Sequence, residues 1–322
     1  MSRPLVSIAL ATWNGERYLR EQLDTVYAQT WQPLEVVVSD DASTDGTAAI
    51  LAEYARERGL RYAVNPVRLG LTRNFERAIH LSRGELIALC DQDDLWKPHK
   101  IAALVENIGS ASLIYCNGME HLAADGSVQV EHSIGQVFAF ARALGALATE
   151  KPTRQLLAEN WVVSHTLMFR REVIAHALPF PPHHVYHDGW LALVASKLGG
   201  LRYLDQMLQT HRRHAASITF APPEERPRRS SAVRDIWRGK YRAAWRSRCA
   251  AETARLGDTL SLPLLDADDR AFVQELLDYY GGGSLRGVWR ALRSGWRVAP
   301  YFSTLYGAPR WKVPLRALIG GL

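Results

Sequence analysis

Two glycine-rich phosphate-binding patterns are missing from this chain. Its first apolar run is followed by Ala11-Thr-Trp-Asn-Gly15, not by the dinucleotide glycine pattern, and no phosphate-loop Gly-Lys-Ser/Thr occurs. Phosphates are therefore not expected to rest on a glycine loop. Cysteine is scarce: Cys90, Cys116 and Cys249 are odd in number and far apart. That excludes a disulfide framework and points to a reducing compartment. No apolar run is long enough to span a membrane, and the longest candidate, Val298 to Ala308, is broken by Pro300 and Gly307. Met1 to Pro4 leads straight into an apolar run without a signal-peptide pattern, so a cytoplasmic location is expected. Acidic residues are absent from Tyr279 onward, where seven basic ones remain.

Charge is unevenly placed. Residues 221–322 hold 18 Lys/Arg against 10 Asp/Glu, a net +8, and the rest of the chain carries −2. Leu285, Trp289, Leu292 and Trp296 fall on one helical stripe, with Arg286, Arg290, Arg293 and Arg297 beside it. This pattern fits an interfacial helix on an anionic membrane at the inner face of the cytoplasmic membrane, and equally a helix packed on the main domain.

What is present is an alternation of elements. Leu5–Ala11, Leu34–Ser39, Leu60–Val64, Glu85–Cys90 and Ser112–Asn117 read as strands. Helices are expected around Leu19–Val26, over Thr47–Arg58 (stopped by Gly59, with Ser43 and Asp45 as caps), around Phe75–Ile79, and from Pro98 through Ile108. Strands alternating with helices predict an α/β, mostly parallel, doubly wound sheet. Ligands bind such sheets beyond the carboxyl ends of the strands. Trp13 and Asn14, Asp40 and Asp41, and Asp91, Asp93 and Asp94 all fall there.

Later, Asp125-Gly126 reads as a hairpin turn, His165–Phe169 as a strand and Asp188–Leu198 as a helix. Leu201–Leu204 and Met207–Arg212 read as strands, and Ala232–Leu256 and Asp266–Tyr280 as helices. Pro222, Pro223 and Pro227 mark a linker, dividing an α/β domain (1–220) from a basic, mainly helical C-terminal region (221–322).

Asp91-Gln-Asp-Asp94 is the sharpest local signal. Three carboxylates in four residues repel one another unless a cation is present, and oxygen ligands on a short loop suit Mg²⁺ or Mn²⁺. A calcium-binding helix–loop–helix is excluded, because Trp96 and Ala102 stand where Gly and Glu are required. A solvated acidic loop is the bland alternative. Asp41 offers a carboxylate to a nucleobase imide or a ribose hydroxyl, and Trp13 offers either a flat face to a base or a core side chain.

Three stretches carry a resemblance: Val6-Ser-Ile-Ala-Leu-Ala-Thr-Trp-Asn-Gly15, Glu35-Val-Val-Val-Ser-Asp-Asp-Ala-Ser-Thr-Asp-Gly-Thr47, and Leu89-Cys-Asp-Gln-Asp-Asp-Leu-Trp96. They resemble the family 2 inverting glycosyltransferases, nearest to the bacterial rhamnosyltransferase-like members, over residues 5–108 and again at 160–169 and 186–214. The resemblance implies the A-type glycosyltransferase fold, Rossmann-like, with a C-terminal helical extension. It implies a nucleoside pocket of Ala11, Thr12 and Trp13, Asp41 on the base, and Arg73 on the donor side. Asp91 and Asp93 would form the metal and diphosphate motif, Asp188 would be the catalytic base, and Arg212 and His214 a late basic pair. Three positions depart from the family pattern: Ala42 and Ser164 replace common glycines, and Gly189 replaces a common Trp. The implied donor is a dTDP- or UDP-sugar, with dTDP-rhamnose first, and the implied acceptor a growing, lipid-linked surface glycan. An inactive nucleotide- or sugar-binding module is the second reading. A nucleic-acid-binding protein is the third, disfavoured by the acidic crevice and by the lack of a recognised binding motif.

Overall fold

The computed structural model describes residues 3–117, 120–122, 127–130, 152–160, 162–184, 186–212, 214, 240–281 and 293–294. The chain divides into two compact units. The first comprises Met1–Glu131, Trp161–Pro181 and Val185–Arg213; the second comprises His132–Asn160, Pro182–His184 and His214–Leu322.

The first unit opens with β1 (Val6–Thr12), α1 (Leu19–Tyr27), β2 (Leu34–Asp40), α2 (Thr47–Arg58), β3 (Arg61–Val64), α3 (Leu71–Leu81) and β4 (Leu86–Cys90). β1 and β4 are buried along their whole length, because helices cover both faces of a parallel sheet. That is why they read as mainly apolar runs, with Ser7 and Thr12 the polar exceptions in β1. Gly59 ends α2 at φ +73°, a left-handed turn that glycine adopts without cost. The expected caps of α2 act differently. Ser43 Oγ donates to Asp40, and Asp45 Oδ1 accepts the Thr47 N–H at 3.0 Å from one residue before the helix N-cap, Gly46.

β5 (Leu95–Trp96), α4 (Lys100–Asn107), β6 (Leu113–Asn117), β7 (Glu120–Leu122) and β8 (Val128–Val130) follow. β7 and β8 pair antiparallel, and the turn at Asp125-Gly126 lies outside the described residues. α5 (Pro152–Ala158) belongs to the second unit. The first unit resumes with β9 (Leu167–Arg170), α6 (Ile174–Ala177), α7 (His187–Lys197), β10 (Leu201–Met207) and β11 (Gln209–Arg212). The strand expected from His165 starts two residues late, because Ser164–Thr166 forms a 3₁₀ turn.

The main sheet has the order β10-β6-β9-β4-β1-β2-β3. All neighbours are parallel except β9, which runs antiparallel between β4 and β6. A small second sheet has the order β5-β11-β7-β8.

Register decides where the site forms. Thr12 pairs with Asp40, Asp40 with Val64, and Leu10 with Cys90, so the strand ends line up at one edge. Because β9 is reversed, its beginning lies at that same edge, with Met168 opposite Ala88. The turn carrying Ser164 and His165 therefore arrives beside the Asp91 loop.

In the second unit, α8 (Lys240–Leu260) packs on α9 (Ala267–Tyr280), which in turn contacts α5. Asp266 caps α9 by accepting the Asp269 N–H at 2.8 Å. The stripe over 285–297 lies outside the described residues except at Arg293 and Ser294.

Candidate functional site

The donor side begins where β1 ends. Ala11 and Thr12 are buried, and Thr12 Oγ1 donates to Asp40 Oδ1 at 2.8 Å. Trp13 leaves the sheet 41% exposed, so it is not a core side chain. The Arg68 guanidinium lies 3.5 Å over that ring. Gln92 fixes Trp13 to the acidic loop: its Oε1 accepts the Trp13 N–H at 2.9 Å, and its Nε2 donates to the Trp13 carbonyl at 3.1 Å.

Asp41 is buried and already engaged. Its Oδ1 accepts from Leu69 N at 2.6 Å and Asn65 Nδ2 at 2.9 Å, and its Oδ2 accepts from Gly70 N at 2.9 Å. The carboxylate therefore clamps the loop that carries Arg68. The next residue, Ala42, has φ +56°, which accounts for the glycine common at this position in the family. Asp41→Ala is expected to cost about 1–3 kcal/mol, because it strands buried donors. It should also weaken nucleotide binding through the loosened loop. Denaturant melts and calorimetry with dTDP and UDP would check both, and unchanged nucleotide affinity would rule out a donor-side role. Arg73 pairs with Glu76 at 2.7 Å, and Glu76 Oε2 also accepts the Phe180 N–H at 2.8 Å.

At the centre, one residue joins two carboxylates. Ser164 Oγ lies 3.3 Å from Asp91 Oδ2, and Ser164 N donates to Asp188 Oδ2 at 3.0 Å. The serine that replaces a common glycine thus spans Asp91 and Asp188. Asp188 is the second residue of α7, not its N-cap, which is Tyr186. Its Oδ1 accepts the Gly189 N–H at 2.6 Å, and a carboxylate in a first helical turn also meets the favourable end of the helix dipole.

A second cluster gathers around Asp94, the last carboxylate of the acidic run, with two histidines to which the sequence assigned no role. Asp94 is fully buried; its Oδ1 accepts from His211 Nδ1 at 2.9 Å and from the Arg212 N–H at 3.2 Å. His165 Nδ1 lies 3.3 Å from Asp91 Oδ2 and 3.6 Å from Asp94 Oδ2. The His165 and His211 rings stack at 4.8 Å, 8° from parallel. Burial alone would push the Asp94 carboxyl up, but the charges of His165 and His211 and the His211 hydrogen bond outweigh it and hold it low. Burial pulls His211 down, and the Asp94 hydrogen bond and charge, with Asp91 and Asp93, lift it above its ordinary value. The acidic run was the only signal in the sequence for this cluster. His165 and His211 carried none.

The donor set fits a divalent cation. Asp94, His165 and His211 each offer one atom within 4.8 Å of the others, and Asp94 Oδ2 is buried without a hydrogen-bond partner. Asp91 and Asp93, the pair implied by the family resemblance, lie on the same loop and are partly exposed. Arg212 reaches this loop, with Nε donating to the Asp93 carbonyl at 3.0 Å and Nη2 meeting Glu21 at 2.6 Å. His214 falls in the second unit.

A parallel sheet with one reversed strand and an acidic loop at its switch edge is the architecture of the A-type glycosyltransferases. Two solved structures share it: TarS residues 1–349 from S. aureus (TM-score 0.59, 15% identity, covering 99% of this chain and 89% of that one) and a mannosyltransferase from Pyrobaculum calidifontis (TM-score 0.55, 16% identity, 99% and 87%). The sequence model described as Glycosyl transferase family 2 matches residues 7–176, and the chain belongs to that family. An uncharacterized protein of Mycobacterium tuberculosis is 30% identical over 220 residues, which is 66% of this chain and 60% of that protein. An uncharacterized glycosyltransferase of a Nostoc species is 28% identical over 222 residues, 66% of each chain. The chain thus spans about 60% of the length of the first curated relatives it matches. No helix among the described residues is long and apolar enough to cross a membrane.

Proposed function

We propose that this chain transfers a sugar from a nucleotide-sugar donor to an acceptor hydroxyl, with inversion at the anomeric carbon. The observation that carries the reading is the convergence of Asp91, Ser164 and Asp188 within hydrogen-bonding reach, on the sheet edge where the exposed Trp13 lies. Asp188 takes the acceptor proton as the bond forms, held on rigid support by Ser164 and the first turn of α7. Trp13 and Arg68 face the nucleoside, and Asp41 shapes the loop beside them. Asp91 and Asp93, with Asp94 behind them, hold a divalent cation, Mg²⁺ or Mn²⁺. That cation would supply positive charge to the departing diphosphate. Arg212 acts with them on the diphosphate side.

The donor proposed first is dTDP-rhamnose, then a UDP-sugar, on the sequence resemblance. Two solved relatives add support for the donor class: TarS was solved with UDP and with UDP-GlcNAc, and the mannosyltransferase with GDP-Man and Mn²⁺. The acceptor is a growing, lipid-linked surface glycan. Residues 1–220 supply catalysis, and the basic region 221–322 brings them to an anionic membrane surface. A calorimetric and turnover screen of dTDP-rhamnose, UDP-glucose, UDP-GlcNAc and GDP-mannose tests the donor. Tightest binding of dTDP-rhamnose with slow release of dTDP is the expected result. Binding of a nucleotide sugar with no turnover, even with glycan acceptors added, would favour the inactive binding module instead.

A further inference from the structure

Lys100 is fully buried. A buried ammonium is expensive unless its donors are met. Lys100 Nζ donates to the His165 carbonyl at 2.6 Å and to Gln209 Oε1, and lies 3.7 Å from the centre of the Trp96 ring. These partners sit on three separate segments, and each segment carries part of the site. His165 follows Ser164, Gln209 opens the strand that holds His211 and Arg212, and Trp96 stands two residues after Asp94.

The acidic loop has an electrostatic problem that this lysine answers. Asp91, Asp93 and Asp94 lie within four residues, and Asp94 is buried with one oxygen unbonded. His165, His211 and Arg212 meet part of that charge, and a further cation nearby would help hold the loop together whenever no metal is bound. Resting on the metal reading above, we propose that Lys100 is a positioning residue whose buried charge serves as a resident cation beneath the acidic loop. It holds the loop, the 3₁₀ turn and β11 in register, and it lowers the affinity of the site for an added divalent cation. Burial lowers the pKa of Lys100, while the neighbouring thiols Cys116 and Cys90 and the carboxylates Asp94 and Asp91 oppose that shift, which ties the lysine to the cluster electrostatically. Gln209 Nε2, buried without a partner, leaves room in the network for a change of charge.

The test is Mn²⁺ binding to the full chain, read by the loss of the free-ion electron paramagnetic resonance signal. It compares the parent protein with Lys100→Met and Gln209→Glu. The first removes the charge. The second keeps the lysine and its packing but pairs it with a carboxylate. Both are expected to bind Mn²⁺ about tenfold more tightly, since each makes the local potential more negative. A lysine that only props up the fold would give unchanged or weaker binding in a folded Lys100→Met, and that result overturns the proposal; so does unchanged binding in a folded Gln209→Glu, should Lys100→Met fail to fold. Absence of Mn²⁺ binding by the parent overturns the metal reading itself. Binding by the parent without tightening in the variants overturns only the role of Lys100.

Discussion

Asp188→Asn is expected to fold, to bind nucleotide as the parent does, and to transfer sugar about a hundred- to ten-thousandfold more slowly. An acceptor hydroxyl is a poor nucleophile at neutral pH and must lose its proton as the new bond forms. Asp188 is oriented to take that proton, because one of its oxygens is fixed by the Ser164 N–H and the other by the Gly189 N–H. Asparagine keeps the size and one of these acceptors but cannot take a proton. The variant turns one backbone N–H toward an amide NH₂, a cost of about 1 kcal/mol, too little to unfold a domain of this size. A merely structural Asp188 would lose that stability and little rate. Steady-state transfer with saturating donor, together with a thermal melt, separates the two. A folded, nucleotide-binding Asp188→Asn with near-normal turnover would remove the base from the mechanism.

Chelation of divalent cations, or Asp93→Ala, is expected to slow transfer roughly a hundred- to a thousandfold, the size of several kcal/mol of charge stabilisation on the departing diphosphate. Asp93 is the carboxylate to remove, because it is partly exposed and belongs to the metal and diphosphate pair of the proposed mechanism. Its neighbours hold the loop: Gln92 grips Trp13, and Asp94 grips His211 and the Arg212 backbone. The Arg212 contact at position 93 is to the backbone carbonyl, which alanine retains. A thermal melt of Asp93→Ala separates loss of transfer from loss of fold, since a surface substitution that leaves the fold intact should cost no more than about 1 kcal/mol. Full activity in excess chelator would assign charge stabilisation to Arg212 and its basic neighbours instead.

Much of the sheet was legible because β1, β2 and β4 are apolar along their buried stretches and are punctuated by Gly59 and the polar strand ends. Strand direction was not. Nothing in Leu167–Arg170 marks it as running against its neighbours, because apolar pattern encodes burial and not polarity of the chain. The same limit hid the Asp94 cluster. Asp94 and His211 meet across 117 residues, a contact set by register and invisible to local spacing. Lys100 was hidden differently. It starts a helix whose apolar stripe begins at Ile101, and a lysine there reads as solvated until the sheet edge covers it. Asp41 was visible as a strand-end carboxylate, but its engagement with Leu69 and Gly70 depends on how the loop after β3 folds back.

The reversed strand also sets an order of assembly during synthesis. β4 and β6 flank β9, yet both leave the ribosome well before Leu167 does. Until then β4 lacks a partner on one edge, and β6, whose other neighbour β10 comes later still, has no partner in the main sheet. The strands that carry the proposed nucleoside side, β1, β2 and β4, are all made early. Ser164, His165 and Asp188 come from the late segment, so the proposed chemistry becomes available only when β9 has taken its place between β4 and β6. A truncated or stalled product would hold the means to bind nucleotide without the means to use it.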